Sequence, residues 1–407
     1  MLENVMHAAA PVAPVPTPDI PTPAMLLDRA RSLVPILRER EAAAGLARQV
    51  SAETIRDFTD AGFFRVLQPA RFGGYEMDPA VYCGIARILA EGCMSSAWVY
   101  GVVAVHNWQL ALFPPQAAED VWGTDSDVRI SSSYMPCGKV TRVEGGYRLS
   151  GRWAFSSGSA HCDWAILGVH IPAADGGAPD PCNFLVPRSD YTIIDTWDVM
   201  GLCATGSNDI MVEDAFVPDH RIIREMDMFA INCPGHAVHQ SSLYQIPFAQ
   251  LFNRTVSTTS LGSLKRALDV FVEGMRTKRA TYTGVKLAND SAIQEAVADV
   301  VMTLDDLDMR LARDLAELSD RAQRRDWSDE RRAALGLSTT SMVSRCVTAI
   351  DQIMLFSGGK AIYRGNVVQR AFLDIHCARA HVANNPYPYA RNFGAMAFGA
   401  ANDCYDI

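Results

Sequence analysis

The fold of this 407-residue chain is decided by the stretch VTRVEGGYRLSGRWAFSS, residues 140–157. Its apolar and polar residues alternate around a Gly-Gly pair, which is typical of β-strands separated by a turn. The stretches DWAILGVHI, CNFLVPR and DIMVEDAFVP follow with the same character, separated by Gly, Pro and Asp. We therefore predict an antiparallel sheet domain over residues 128–224.

Helical patterns flank this sheet region on both sides. Before it, LLDRARSLVPILREREAA places apolar residues three and four positions apart, and Ser51 precedes AETIRDFTDAGF as a candidate N-cap. After it, long stretches such as SLGSLKRALDVFVEGMRTKRA carry the same period. The predicted class is α+β, with an N-terminal helical domain over residues 25–127 and a C-terminal four-helix bundle over residues 251–407.

Two segments stand outside these regions. Residues 1–24 are rich in Pro and Ala, which predicts a disordered arm. Residues 225–250 are too long for a plain connector, and loops of this length often act as lids. We therefore predict a lid loop there.

Composition points to a small-molecule partner. The net charge of −9 argues against binding to nucleic acid or to an anionic membrane. The longest apolar run, from Ala97 to Val105, is about half of what a bilayer span requires. The ten cysteines are scattered without a CxxC pair, and the N-terminus does not read as a signal peptide, so we expect reduced thiols and a cytoplasmic protein.

A set of motifs carries a family resemblance. The order helix, sheet, helix, together with PARFGGYE at residues 69–76, resembles the acyl-CoA dehydrogenase superfamily. Within it, VHNWQLALF, ISSSYMPCGKVTRVEGG, GRWAFSSGSAHCDWAILG, PRSDYTIIDTW and FLDIHCARAH are most similar to the oxygenase component of p-hydroxyphenylacetate hydroxylase and its relatives. The resemblance implies the acyl-CoA dehydrogenase-like fold, with the sheet forming a β-sandwich or barrel.

The ordinary dehydrogenases of this superfamily need a carboxylate base, which is not found at the expected places. ARAHVANNPYPYARNFGAMAFGAANDCYDI, near the C-terminus, and LFNRTVSTTSLG, on the first bundle helix, contain no Glu. A reaction that requires a general base is disfavoured without one in reach.

The resemblance implies a two-component flavin-dependent monooxygenase. No Rossmann-type or P-loop motif is present for reducing its own flavin, so reduced flavin (FMNH2 or FADH2) would come from a separate NAD(P)H-dependent reductase. With O2 it would form a C4a-hydroperoxide that hydroxylates a phenolic, other aromatic or polyketide substrate. A homotetramer is also implied. An N- or S-oxygenating relative and an acyl-CoA dehydrogenase-type or inactive binding protein remain alternatives.

The resemblance places the flavin ring at the end of a strand. Phe155, Ser156 and Ser157 would meet its polar edge, with Ser157 at the flavin N5 atom. The alternative is a turn that only caps its own backbone.

Cofactor contacts are also expected from the bundle. Arg276 and Lys278 would hold flavin phosphate, unless they form a solvated helix end. Gly358 and Gly359 would approach the flavin of a neighbouring subunit, unless they are a plain helix break.

Two residues are candidates for substrate contact. His106 lies in an apolar run and would be a backbone-satisfied core histidine by default, but the resemblance assigns it to stabilising a substrate phenolate. Ser132, the second of three consecutive serines, matches a substrate-contacting position and is otherwise an ordinary strand serine.

The remaining histidines have different interpretations. By resemblance His381 does general acid/base work near the substrate. His376, five residues earlier, lies on another side of a helix, so the two do not form a zinc pair. Cys233, His236 and His239 have ligand-like spacing without an evident fourth ligand, so we predict no metal.

The lid sequence narrows the substrate. Ala249 stands where the hydroxyphenylacetate enzymes have an Arg, and no Lys or Arg occurs between Arg224 and Arg254. A carboxylated phenol is therefore disfavoured, because nothing in the lid would neutralise it.

Overall fold

The computed structural model of the chain describes residues 20–173 and 176–404. The predicted arm lies almost wholly outside these residues, and the first helix already begins at Pro23. Within the described ranges no helix is both long and apolar enough to cross a membrane.

The N-terminal region is helical, as predicted. The Ser51 hydroxyl accepts a hydrogen bond from the Thr54 backbone N–H at 3.2 Å, which is the N-cap that the sequence indicated. The helices are α1 (Pro23–Ala47), α2 (Ala52–Asp60), α3 (Pro79–Ala90), α4 (Met94–Leu110) and α5 (Pro115–Trp122).

Helix α4 runs through the interior. Every residue from Met94 to Leu110 is buried, including the polar His106, Asn107 and Gln109. A helix that is apolar almost all round has no solvent face, and the other elements pack around it.

The central region is one seven-stranded sheet in the order β5-β6-β2-β1-β3-β4-β7. Its strands are β1 (Ile130–Val143), β2 (Gly146–Ser156), β3 (Trp164–Ile171), β4 (Asp180–Pro187), β5 (Tyr191–Ile194), β6 (Asn208–Pro218) and β7 (Ile222–Arg224).

The prediction of a wholly antiparallel sheet is wrong for one strand pair. Strand β1 pairs antiparallel with β2 through Lys139 to Val143, but parallel with β3 through Ile130 to Ser133. The pairing changes at an irregularity between Ser133 and Gly138. Alternation predicts strands but does not encode the direction of their partners, so the sheet is mixed.

The sheet separates two apolar cores, as a sandwich-like domain does. One face packs against α4 and the other helices through residues such as Ile166 and Leu185. The opposite face encloses a smaller core that includes Trp153, Leu167 and Phe184. Successive residues of a strand thus serve different cores.

The predicted lid contains only short elements: α6 (Glu225–Phe229) and two 3-10 turns at Pro234–Ala237 and Ser242–Gln245. It is fixed to the end of α4, because the Trp108 indole N–H donates to the Leu243 carbonyl at 3.0 Å. The Gly235 N–H donates to the Leu112 carbonyl at 3.1 Å. Its action as a lid stays a prediction.

The C-terminal region is helical. Four of its helices form the predicted bundle, in which α7 packs against α8, α10 and α11, and α10 packs against α8 and α11. Helix α9 packs against α7, and α12 packs against α9. Their bounds are α7 (Phe248–Thr277), α8 (Ser291–Arg324), α9 (Asp329–Thr340), α10 (Met342–Ser357), α11 (Val367–Arg379) and α12 (Pro386–Ala397).

A buried carboxyl joins the bundle to the sheet. Asp374 of α11 accepts the Leu202 backbone N–H at 2.6 Å, in the loop between β5 and β6. Burial raises the pKa of Asp374 to about 7; nearby Glu41 also raises it, whereas the Leu202 N–H, Arg370 and Arg266 lower it. The bond fixes a loop in which Leu202 has a φ of +54°.

This bond predicts a pH-dependent stability. Asp374 ionises near pH 4 in the unfolded chain but near 7 in the fold, so the stabilising protonated form is lost as the pH rises through this window. Asp374→Asn keeps an acceptor and cannot ionise. From about pH 5 to about pH 8, the wild type should lose roughly 1–3 kcal/mol of unfolding free energy relative to the variant, measured by urea denaturation. Parallel pH curves would refute this, and Asp305→Asn, exposed on α8, is the control.

Candidate active site

The candidate site runs along one face of α4. Trp98, Val102, His106 and Gln109 share this face, because they are spaced by three or four residues. At 1.5 Å per residue, Trp98 and His106 are about 12 Å apart along the helix axis. The predicted flavin-contacting and substrate-contacting residues lie against different parts of this stripe.

His106 has one satisfied and one unsatisfied ring nitrogen. Nδ1 lies 2.7 Å from the Ile130 carbonyl oxygen, which can only accept, so Nδ1 carries the proton. Nε2 is buried and has no hydrogen-bond partner among the described residues. Desolvation lowers the pKa of His106 to about 4, so the ring is neutral at pH 7 and Nε2 presents a lone pair.

An aromatic cluster begins at the His106 ring. Tyr134 of β1 lies edge-on to His106, with ring centroids 6.3 Å apart, and its ring also contacts Phe248 and Phe252 of α7 at 5.6 and 5.1 Å. The Tyr134 hydroxyl donates to the Gln109 side chain at 2.5 Å. Burial raises the pKa of Tyr134, so it stays a neutral donor.

Ser132 belongs to the same pocket. It lies two residues before Tyr134 on β1, so both side chains are on the sheet face toward α4. The Tyr134 hydroxyl oxygen also accepts a hydrogen bond from the Ser132 side chain. Ser132 and His106 therefore both adjoin Tyr134.

The predicted flavin turn lies nearer the start of α4. β2 ends at Ser156, and Gly158, at φ +70°, packs so closely that an added Cβ would lie 3.0 Å from Val99 and 3.4 Å from Val103. The Ser157 hydroxyl lies 2.7 Å from that of Ser207 and accepts from the Trp98 indole at 3.3 Å.

This turn has features that suit a flat ring with a polar edge. Phe155 has a φ of +65°, which is uncommon for a bulky residue, and its side chain is 64% exposed. The ring of Phe155 lies edge-on to that of Trp197, with ring centroids 6.2 Å apart. Met200, three residues after Trp197, is also exposed. The Ser156 hydroxyl is buried without a partner among the described residues. An aromatic surface beside hydroxyl and backbone groups fits a flavin ring.

His381 lies close to this turn through Trp98. The rings of Trp98 and His381 are 5.7 Å apart and edge-on. The His381 Nδ1 accepts the Ala383 backbone N–H at 3.2 Å, so the proton lies on Nε2. Desolvation lowers the pKa of His381 to about 4. This ring is therefore a neutral donor, the opposite tautomer to His106.

Of the cofactor contacts predicted from the bundle, Lys278 and Gly358 lie together, whereas Arg276 does not join them. The Lys278 ammonium donates to the Ser357 carbonyl at 2.7 Å and lies beside Gly358, whose φ of +74° and ψ of −179° favour glycine. Gly359 follows in open space. Arg276 instead pairs with Glu273 on its own helix, and both side chains are largely exposed.

The loop histidine His236 is engaged within the protein. Its Nδ1 accepts the Cys233 backbone N–H at 3.3 Å, and its Nε2 lies 2.8 Å from the Tyr244 carbonyl. In the described ranges no three His, Cys, Asp or Glu side chains are grouped closely enough for a metal ion.

Sequence reasoning missed several residues of the pocket. Gln109 and Tyr134 stand inside motifs that carried the resemblance, so their position was a usable signal. Phe248 and Phe252 lie four residues apart on α7, which indicates only an apolar helix face. Ser207 comes from the loop after β5, and no local pattern connects it with Ser157.

Comparisons with known proteins agree with this architecture. Residues 25–122 match the family model described as acyl-CoA dehydrogenase, N-terminal domain. Residues 255–386 match the model for acyl-CoA dehydrogenase, C-terminal domain.

Individual relatives are oxygenase components. The oxygenase subunit HsaA of a flavin-dependent monooxygenase from Rhodococcus jostii (strain RHA1) is 37% identical over 376 residues, covering 92% of this chain and 98% of the relative. The oxygenase component of p-hydroxyphenylacetate 3-hydroxylase from Acinetobacter baumannii is 28% identical, covering 95% of this chain and 92% of the relative. The crystal structure of 3-HSA hydroxylase from Rhodococcus sp. RHA1 is similar to this fold, with a TM-score of 0.89. The two sequences are 35% identical, and the match covers 94% of this chain and 99% of that one.

The tautomers of His106 and His381 provide a test of the site. We expect nitrogen-15 NMR of histidine-labelled protein to show the Nδ1–H tautomer for His106 and the Nε2–H tautomer for His381. Since both pKa values are lowered to about 4, neither ring should titrate between about pH 6 and 8. His106→Gln and His381→Gln would assign the signals. Titration of either ring near the ordinary value of about 6.5 would contradict the site description.

Proposed function

The chain belongs to the family of flavin-dependent monooxygenase oxygenase subunits, which has the acyl-CoA dehydrogenase fold, and we propose that it hydroxylates a neutral phenol in the pocket between α4, β1 and α7. It is a flavin-dependent monooxygenase that uses reduced flavin and O2. The aromatic substrate is supported by the relatives, whose names include p-hydroxyphenylacetate and 3-HSA hydroxylases.

The observation that carries the proposal is the unpaired Nε2 of His106. A buried acceptor without a partner costs about 1–3 kcal/mol, and a phenolic O–H would satisfy it. The adjoining ring of Tyr134, with Phe248 and Phe252 packed on it, suits an aromatic substrate.

The pKa values decide how far the phenol proton moves. A phenol has a pKa near 10 and the His106 ring about 4, so complete transfer before reaction would cost about 8 kcal/mol. His106 therefore acts as a hydrogen-bond acceptor that increases electron density on the ring. The proton moves only as the new carbon–oxygen bond forms. Ser132 and Tyr134, which are joined to each other and to Gln109 by hydrogen bonds, form one wall of the proposed phenol site.

His381 and Ser157 act near the other end of the stripe. Bound reduced flavin supplies the activation of O2, and we assign Phe155, Ser156 and Ser157 to its ring. The Ser157 hydroxyl, held by Ser207 and Trp98, is oriented to meet a polar ring atom. The neutral Nε2–H of His381 can donate a hydrogen bond to an oxygen group at this end of the site.

The surrounding protein keeps water away from these groups. All of α4 is buried, and the segment of residues 225–247 covers its end through Trp108 and Gly235. We assign the lid role to this segment. Water that reached the site would favour release of H2O2 over hydroxylation of the substrate.

A separate partner must deliver reduced flavin. Names such as oxygenase subunit and oxygenase component, borne by the relatives, support a distinct reductase, and we take NAD(P)H as its reductant. All ten cysteines lie in the described part of the chain, and no disulfide is formed there, which is consistent with the cytoplasm as the location.

We further propose a homotetramer. Several large apolar side chains are exposed on or beside the C-terminal helices, and such patches mark contact surfaces. They are Leu355, Ile362, Tyr363, Val382, Tyr387 and Phe398, each at least 69% exposed. Lys278 and Gly358 lie beside this surface, so they and Arg276 would meet the flavin of a neighbouring subunit.

The main proposal is tested by His106→Asn. The Asn amide can still donate to the Ile130 carbonyl, but no atom replaces Nε2. With reduced flavin and a phenol, O2 consumption should continue while hydroxylated product falls at least tenfold and H2O2 rises in its place. Product by chromatography and H2O2 by peroxidase assay give the coupling. His376→Ala, outside the site, should stay coupled; equal coupling in His106→Asn would exclude the role.

The assembly is tested by Leu355→Glu. We expect light scattering to give four times the 44.5 kDa chain mass for the wild type and a smaller species for the variant, because a charge at a buried contact is costly. Leu46→Glu, at an exposed position on α1, is the control. A monomeric wild type that binds reduced flavin tightly would contradict the shared site.

A further inference from the structure

Three hydroxyl groups form a row that ends at the turn of residues 155–158, which we assign to the flavin ring. The hydroxyl oxygens of Thr205 and Ser207 are 2.7 Å apart, and those of Ser207 and Ser157 are also 2.7 Å apart. Thr205 and Ser207, in the loop between β5 and β6, are 1% and 3% exposed, whereas Ser157 is only partly buried. This hydroxyl row therefore starts in the interior and opens at Ser157.

The inner end of the hydroxyl row fixes the direction of the first proton. The Thr205 hydroxyl oxygen lies 2.9 Å from the Leu202 carbonyl oxygen. A carbonyl oxygen holds no proton and can only accept, so Thr205 donates its single hydroxyl proton to Leu202. The Thr205 backbone N–H and the Trp197 indole N–H also donate to this carbonyl, each at 3.1 Å, and hold it in place.

This first bond sets the direction of the other two. A hydroxyl group has one proton and two acceptor lone pairs. Since the Thr205 proton is already used, Ser207 must be the donor in its contact with Thr205. The Ser207 proton is then used as well, so Ser157 must be the donor in its contact with Ser207. All three protons therefore point inward, away from the turn.

The opposite order would bring two lone pairs together. If the Ser157 proton pointed outward, Ser207 would donate to Ser157 and Thr205 would donate to Ser207. The oxygens of Thr205 and the Leu202 carbonyl would then face each other at 2.9 Å with no proton between them. Electrostatic repulsion between two oxygens is strong in a buried, poorly solvated position, so the inward order is favoured.

Ser157 is left as an acceptor toward a ligand. The Trp98 indole, which can only donate, uses one lone pair of the Ser157 oxygen at 3.3 Å. The second lone pair remains on the open side of the turn, beside the exposed Phe155 ring. A ligand atom that meets this lone pair favourably must carry a proton.

The flavin ring presents such a proton in only one of its redox forms. Its N5 atom carries a proton when the ring is reduced and only a lone pair when the ring is oxidised. An accepting Ser157 forms a hydrogen bond with the first form and opposes a lone pair in the second. The direction of the hydroxyl row thus becomes a preference for one redox form.

We propose that Thr205 and Ser207 are positioning residues that keep Ser157 an acceptor, so that the site selects reduced over oxidised flavin. This inference rests on the proposed assignment of Ser157 to the flavin ring. Thr205 acts through Ser207 and Ser157, while its backbone carbonyl holds the turn by accepting the Gly158 N–H at 2.9 Å.

Thr205→Val tests the direction of the hydroxyl row. Valine keeps the shape of threonine without the hydroxyl, and the backbone bond from Gly158 remains. Ser207 then donates to Ser157, whose own proton turns toward the ligand. The ratio of Kd for oxidised flavin to Kd for reduced flavin should fall roughly tenfold, which lowers the midpoint potential of bound flavin by about 30 mV.

The ratio is measured by binding, without a phenol and without turnover. The probes are FAD and FMN, each in the oxidised form and, in the absence of oxygen, reduced with dithionite. Anaerobic ultrafiltration gives both Kd values for the wild type and for each variant. Failure to hydroxylate a phenol therefore leaves this measurement intact.

Matched variants separate the hydroxyl direction from the stability of the loop. Thr205→Ser restores the hydroxyl and should restore the ratio. Thr340→Val removes an equally buried hydroxyl that donates to the Gly336 carbonyl within α9 at 2.9 Å. It should lower the Tm without changing the ratio. Ser207→Ala removes the acceptor of the Ser157 proton and replaces Thr205→Val if that variant does not fold.

A double-mutant cycle shows whether Thr205 acts through Ser157. In a Ser157→Ala background the hydroxyl row no longer reaches the ligand, so Thr205→Val should leave the ratio unchanged. The same change of ratio in both backgrounds would contradict the proposed connection.

The other outcomes are equally clear. An unchanged ratio in Thr205→Val or Ser207→Ala, or an equal weakening of both redox forms, marks a merely structural loop and would overturn the inference. Wild type that binds oxidised flavin as tightly as reduced flavin would overturn it too. Wild type that binds neither form would instead overturn the proposed function.

Discussion

The burial of α4 is the constraint on which the rest of the structure depends. A helix without a solvent face must be covered by the sheet, the bundle and the segment of residues 225–247 together. Because Trp98 and His106 lie on this one rigid helix, the turn that we assign to the flavin and the proposed phenol site keep a fixed separation. Reactive groups on a rigid element are held more precisely than groups on loops.

Desolvation also sets the charge of the two histidines of the site. Desolvation penalises the charged ring, so His106 and His381 are neutral and differ only in which nitrogen holds the proton. A single backbone partner decides this for each: the Ile130 carbonyl for His106 and the Ala383 N–H for His381. One residue type thereby provides an acceptor at one end of the site and a donor at the other.

Long-range contacts complete the flavin turn. Ser157 is held by Ser207, which comes from the loop after β5, and this loop is fixed in turn by Asp374 of the bundle. The turn therefore depends on elements that are more than two hundred residues apart in sequence. A change in the bundle can alter the orientation of Ser157 without touching the sheet.

The sequence by itself determined the order of helical and β regions and the N-cap at Ser51, because these features are encoded in local periodicity and in short patterns. His106, Ser132, Ser157 and His381 became candidates only through the resemblance of their motifs to a family. The tertiary structure alone decided the parallel pairing of β1 with β3, the tautomers of the histidines and the unpaired Nε2 of His106. These properties depend on which distant backbone group faces each side chain. Periodicity along a chain does not specify such partners, since they are chosen only when the strands and helices pack.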